Sequence, residues 1–158
     1  LKIYLFGDVD LQGASSTRIH FLTKKSKSLF AFLVIHKDRR FTRATLAGQF
    51  WPEIEDTRAQ RSLNTEIWRL RTVLKNSGLK PEKLLSSDRD RVGFRGESDH
   101  WLDVAEFHAL TQSLTLPKVM PTDPQSLLSL NRAIALYRGD FAEGIFDEWC
   151  LARIMHQS

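Results

Sequence analysis

Residues 57–76, TRAQRSLNTEIWRLRTVLKN, decide how the rest of the chain is read. Ala59, Leu63, Ile67, Leu70 and Leu74 recur at spacings of 4, 4, 3 and 4, the repeat of one helix face. Asp56 is placed to cap this helix and Gly78 to close it. The other face carries Arg58, Arg61, Asn64, Thr65, Trp68, Arg69, Thr72 and Lys75, with Arg71 at its edge and Glu66 as the only acid. A solvated surface helix usually intersperses Glu and Lys in i,i+4 pairs, whereas here one acid accompanies five bases. A helix about 10–12 Å across fits the major groove of DNA, where arginine reads guanine edges and Asn, Thr or an aromatic group reads adenine or the thymine methyl. These side chains are therefore the candidate DNA contacts. Trp68 suits two roles equally, groove contact or packing against the preceding short helix or the hairpin that follows.

Upstream, residues 2–12 alternate apolar and polar around Gly7, and residues 17–22 form a second β-rich run, which predicts a small antiparallel sheet. Ser26 precedes an apolar run from Lys27 to His36 long enough for a buried helix, ended by the polar break Lys37–Arg40. Lys24, Lys25 and Lys27 cluster at its start, where phosphate contact and plain solvation are equally good readings. Thr42 is a candidate cap for a short helix that turns Ala44, Leu46, Ala47, Phe50 and Trp51 inward and stops at Pro52. Downstream, residues 84–86 and 91–95 flank the turn-forming Ser87-Asp88-Arg89-Asp90, predicting a β-hairpin whose Arg89 and Arg91 reach a minor groove or a phosphate. The polar stretch 96–99 reads as a boundary, dividing the chain into 1–98 and 99–158. Beyond it, Asp103 and Glu106 have capping-box spacing before a helix through Phe107, Leu110 and Leu114. A loop follows over 115–122, and Asp123-Pro124 opens a helix to Tyr137 with Leu127, Leu130, Ile134 and Tyr137 on its apolar side. Arg138-Gly139-Asp140 reads as the turn that ends it. A last helical run from about Phe146 carries Trp149, Cys150, Ile154 and Met155.

Charge divides the chain in the same way. Residues 1–100 are net +7 and residues 101–158 net −3, so one part is suited to a polyanion and the other is not. With 42% hydrophobic residues the chain has apolar material for a substantial core, which argues against disorder. Its longest apolar run, Leu29 to Ile35, is far short of the roughly 20 residues of a membrane span, and no signal-peptide pattern opens the chain. Cys150 is the only cysteine, which excludes an internal disulfide or a multi-cysteine metal site and points to a cytoplasmic protein. The common nucleotide-binding and hydrolase spacings are absent, and the five histidines lie far apart. The expectation is a protein with no catalytic residues, no metal and no cofactor.

The order of sheet, buried helix, short helix ending Phe50-Trp51-Pro52, basic helix containing Ile67-Trp68-Arg69-Leu70-Arg71 and hairpin resembles the OmpR-type winged-helix domain. It is followed by Trp101-Leu102-Asp103-Val104-Ala105-Glu106-Phe107, by Leu136-Tyr137-Arg138-Gly139-Asp140-Phe141 and by Asp147-Glu148-Trp149. Together these make nearly the whole chain similar to the Streptomyces antibiotic regulatory protein family, whose second part is called the bacterial transcriptional activator domain. The resemblance implies an α+β winged helix-turn-helix domain over 1–98 and, over 99–158, the start of an all-α, TPR-like helical domain truncated within its third helix. It implies a transcription activator that positions RNA polymerase, with two protomers on direct repeats of double-stranded DNA. On the resemblance, Arg61, Thr65, Arg69 and Thr72 face the groove, Arg71 follows the core leucine, and Trp68 stands where the family has a small residue. The competing reading is a protein-interaction module whose basic helix docks an acidic partner.

Overall fold

A helix whose apolar residues recur every three or four positions needs another layer to cover that face. The computed structural model, which describes residues 1–112, 124–139 and 141–142, shows how the cover is built. Three helices lie between two small sheets: α1 (Lys24–Ile35), α2 (Arg43–Phe50) and α3 (Asp56–Asn76). Ala59, Leu63, Ile67, Leu70 and Leu74 are all buried, joined by Val73, against a core that includes Leu29, Phe30 and Leu33 of α1 and Leu46 and Phe50 of α2. The period of the sequence thus places the stripe correctly.

Helix ends differ more from the sequence reading. α1 begins three residues before the expected start, because Thr23 and not Ser26 is its cap: the Thr23 hydroxyl accepts from the Ser26 amide at 3.0 Å. Thr42 caps α2 as expected, accepting from the Thr45 amide at 3.1 Å, although Ala44 is exposed. α3 opens at Asp56, preceded by Glu55 with no side-chain cap. Its C-terminus closes at Gly78, whose φ of +81° is the left-handed conformation glycine adopts without a Cβ penalty. There the Leu79 amide donates to the Leu74 carbonyl at 3.0 Å and the Gly78 amide to Lys75 at 3.1 Å, satisfying two carbonyls of the last turn.

The first sheet is antiparallel through β1 (Lys2–Tyr4), β2 (Asp10–Gln12) and β3 (Arg18–Ile19), the last much shorter than the run 17–22. The second sheet contains a strand the sequence reading missed. β4 (Arg40–Thr42) pairs with β6 (Arg91–Phe94), which pairs in turn with β5 (Leu85–Ser87). A single turn of helix, α4 (Pro81–Leu84), leads into β5. At Gly93 a Cβ would lie 2.5 Å from the Arg39 carbonyl oxygen, so only glycine lets β4 and β6 approach this closely.

β7 (Trp101–Leu102) completes the first sheet, in the order β3-β2-β1-β7 and parallel to β1. Helix α5 (Asp103–Gln112) follows at once, and its first residue is fully buried. The capping-box expectation for Asp103 is corrected here: its carboxylate accepts from the amides of Leu5 at 2.9 Å, Phe6 at 3.0 Å and Val104 at 2.7 Å. It pins the segment after β1 to the start of α5. Helix α6 (Pro124–Leu136) packs on α5 through the buried Ala133, while Leu127, Ile134 and Tyr137 of the expected apolar side are exposed. Phe6 meets the rings of Phe107 and Tyr137 at 5.1 and 5.2 Å and bridges Phe141. The loop 115–122, the cap at Asp123, Leu114 and the last helical run with Cys150 lie outside the described residues.

Candidate nucleic-acid interface

α3 lies with one long face outward. Arg58, Arg61, Asn64, Thr65, Trp68 and Lys75 are exposed, and Thr72 is half-buried on the same side. The Thr65 hydroxyl donates to the Arg61 carbonyl one turn back at 3.0 Å, which leaves its methyl group outermost. Trp68 is 64% exposed. It lines an open hollow with Arg71, Thr72, Lys75 and Lys80, so of its two expected roles the packed one is not adopted.

Glu66 corrects the sequence reading. Expected as the single acid of the outward face, it is instead buried and accepts from Ser26 Oγ at 2.5 Å, Thr23 Oγ1 at 2.7 Å and Arg69 at 2.6 Å. A buried carboxylate is tolerable when its oxygens are satisfied in this way. Arg69 accordingly lies on the flank of α3 beside α1, half-buried and ion-paired, not opposite the Leu63–Ile67–Leu70 stripe as expected. Arg71, also half-buried, lies on the other flank. With Glu66 turned inward, the exposed bases of α3 have no acid among them beyond the first-turn Asp56.

The lysines before α1 prove to belong to its first turn. Lys25 donates to the Phe50 carbonyl at 2.8 Å and stands over the Trp51 ring, and Lys27 pairs with Asp8 at 2.8 Å. These contacts are structural ones.

The β5–β6 hairpin presents Arg89 at its tip and Arg91 at the start of β6, both exposed. Asp88 shapes the turn by accepting from the amides of Asp90 at 2.9 Å and Arg91 at 2.8 Å, and it is ion-paired with Arg40. Those amides, together with the Arg40 guanidinium, hold the Asp88 carboxyl at about 2, against an ordinary value of 3.8. A depressed folded-state pKa gives stability that is present above 3.8 and lost as pH falls through about 2. The turn is therefore expected to loosen across that acid window, with the protection of the Asp90 and Arg91 amides against exchange falling relative to their intrinsic rates, and Asp88→Asn should remove the acid-linked part. A carboxyl titration of Asp88 centred near 4 would contradict this account.

Sequence reasoning missed Arg43 altogether. From the first turn of α2 its Nε donates to the carbonyls of Asp88 and Arg89 at 3.1 Å each. Its Nη2 reaches the Asp88 carbonyl at 2.7 Å and Ser87 Oγ at 3.2 Å, and its Nη1 reaches Asn64 Oδ1 at 2.7 Å. One guanidinium thus joins the hairpin turn to the outward face of α3. Among the described residues no group of three or more His, Cys, Asp or Glu is placed to hold a metal, and no helix is long and apolar enough to cross a membrane.

Residues 17–94 match the family described as "Transcriptional regulatory protein, C terminal". The sequence matches no curated protein. Among solved structures, EmbR of Mycobacterium tuberculosis, in complex with a low-affinity phosphopeptide, superposes with a TM-score of 0.82 at 20% identity. The match covers 99% of this chain and 41% of that one, so the chain spans less than half the length of EmbR, and at this identity the likeness establishes the fold. Over residues 17–94, sequence match and fold thus agree on an OmpR-type winged helix, the DNA-binding domain of transcriptional regulatory proteins.

Proposed function

We propose that the chain is a sequence-specific transcription activator in which α3 enters the major groove and the hairpin lies against the adjacent minor groove or its phosphates. The observation that carries this reading is the outward face of α3, where Arg58, Arg61, Asn64, Thr65, Trp68, Thr72 and Lys75 stand together with the one central acid turned into the core. Arg69 and Arg71 on the flanks are phosphate contacts in this scheme, and Arg89 and Arg91 are the contacts of the wing. Residues 99–158 serve as a TPR-like activator segment. That segment holds two protomers on direct repeats and offers a surface to RNA polymerase, a role supported by the packing of α5 and α6 on one another.

Arg61 is the cleanest test, because it is exposed at the middle of the face and Glu66 does not compensate it as it does Arg69. Arg61→Ala is expected to weaken specific binding by about 1 to 3 kcal/mol with the fold intact, the usual worth of a bidentate base contact. Titrating both proteins against a selected duplex at several salt concentrations gives the second measurement. If about 5 phosphates are met, the log-log slope should be near −4 to −5 per protomer, at about −0.9 per phosphate. A shallow slope with unchanged Arg61→Ala affinity would favour docking of an acidic protein instead.

A further inference from the structure

Arg43 sits where α2, α3 and the hairpin converge, and the hydrogen bonds of its guanidinium are divided between the last two. On one side it holds the carbonyls of Asp88 and Arg89 and the Ser87 hydroxyl, while its own backbone amide donates to the Asp90 carbonyl at 2.9 Å. On the other side it holds the amide oxygen of Asn64. A planar guanidinium can satisfy both sides at once in a fixed geometry, and a lysine ammonium, which acts as a point charge, cannot.

The consequence for Asn64 is chemical. Asparagine recognises adenine by accepting from N6 through its oxygen and donating to N7 through its nitrogen. With the oxygen turned to Arg43, Asn64 offers its NH2 donors outward. Those suit an acceptor: a phosphate oxygen, the N7 of either purine, guanine O6 or thymine O4, and they forgo the paired contact to N6 and N7 that singles out adenine. Resting on the DNA-binding reading above, we propose that Arg43 is a positioning residue that fixes the hairpin turn to α3 and commits Asn64 to donating to an acceptor group on DNA in place of the bidentate contact that singles out adenine.

The test uses the 158-residue chain and sites selected from random duplexes, followed by hydroxyl-radical footprinting for the sugar backbone and dimethyl sulfate protection for guanine N7 in the major groove. Arg43→Lys is expected to lower affinity by roughly tenfold, the loss of about one charged hydrogen bond's worth of order. It should also weaken protection on the hairpin side while the major-groove protection stays, and it should bring in a preference for adenine over guanine at one position, because the freed Asn64 amide can then bond N6 and N7 together. A merely structural role would lower affinity evenly and leave base preference unchanged, and that result overturns the proposal. Should Arg43→Lys fail to fold, Asn64→Ala decides, since it leaves the bonds from Arg43 to the hairpin. Loss of a guanine or thymine preference, or of one phosphate contact, with hairpin protection kept, supports the assignment. Loss of a preference for adenine over guanine, or no change, overturns it. If the unmodified chain selects no sequence and protects no duplex, the DNA-binding reading itself falls and takes this inference with it.

Discussion

Leu70→Ala is expected to lower folding stability by about 2 to 5 kcal/mol, the range for a leucine truncated in a core that relaxes only in part. Leu70 is 2% exposed and sits in the same cluster as Leu29, Leu33, Leu46 and Phe50, so the cavity would open where all three helices meet. Equilibrium denaturation should show the midpoint falling with an unchanged slope, the mark of lost stability without a changed unfolded state. Two positions earlier, Trp68→Ala should change the unfolding free energy by no more than about 0.5 kcal/mol, because that ring lies outside the core. If the two effects were reversed, the inward and outward faces of α3 would be exchanged, and every proposed DNA contact with them.

Asp103→Ala is expected to cost about 2 to 6 kcal/mol, since the buried amides of Leu5 and Phe6 would each lose their acceptor at about 1 to 3 kcal/mol. Asp103→Asn should not restore it, because one carboxylate oxygen becomes a donor facing donors. Burial raises the Asp103 pKa above its ordinary value, while the amides of Leu5, Phe6 and Val104 pull the other way. A carboxyl with a raised folded-state pKa binds its proton more tightly when folded. Its contribution therefore improves as pH falls through that raised value and worsens as pH rises through it, opposite in sign to that of Asp88. Comparing melting curves of the chain and of Asp103→Ala between pH 3 and 7 checks the sign, since their difference should shrink toward neutral pH. A chain ended at residue 100 would lose both β7 and this carboxylate, so it is expected to be less stable than one ended at residue 112.

What the sequence made legible was periodic or local. The α3 stripe is five apolar residues at helical spacing, Thr42 caps α2 through an amide only three residues on, and Gly78 closes α3 by a backbone preference that no tertiary contact is needed to see. What stayed hidden depends on partners far along the chain. Glu66 reads as one acid on a basic face, and only the approach of Thr23 and Ser26, about 40 residues away, turns it inward. β4 is three residues with two polar ends and becomes a strand because β6 lies beside it. Arg43 finds its partners 21 and about 45 residues on, in two segments whose meeting no local pattern encodes. The α1 cap was misplaced for a simpler reason: Thr23 and Ser26 are both good capping residues, and the apolar run that marks the helix starts after both.

The parallel pairing of β1 with β7 has a mechanical consequence. The chain leaves the winged helix through a strand of that domain's own sheet, with the Asp103 carboxylate clamped on the amides beside it. A slack Gly- or Ser-rich tether would let the helical segment pivot freely and would dissipate any torque applied to it. Here α5 is bolted to a strand of the sheet itself, so a force applied to α5 reaches β1 without slack. The junction behaves as a crank, in which turning α5 turns the strands to which it is fixed.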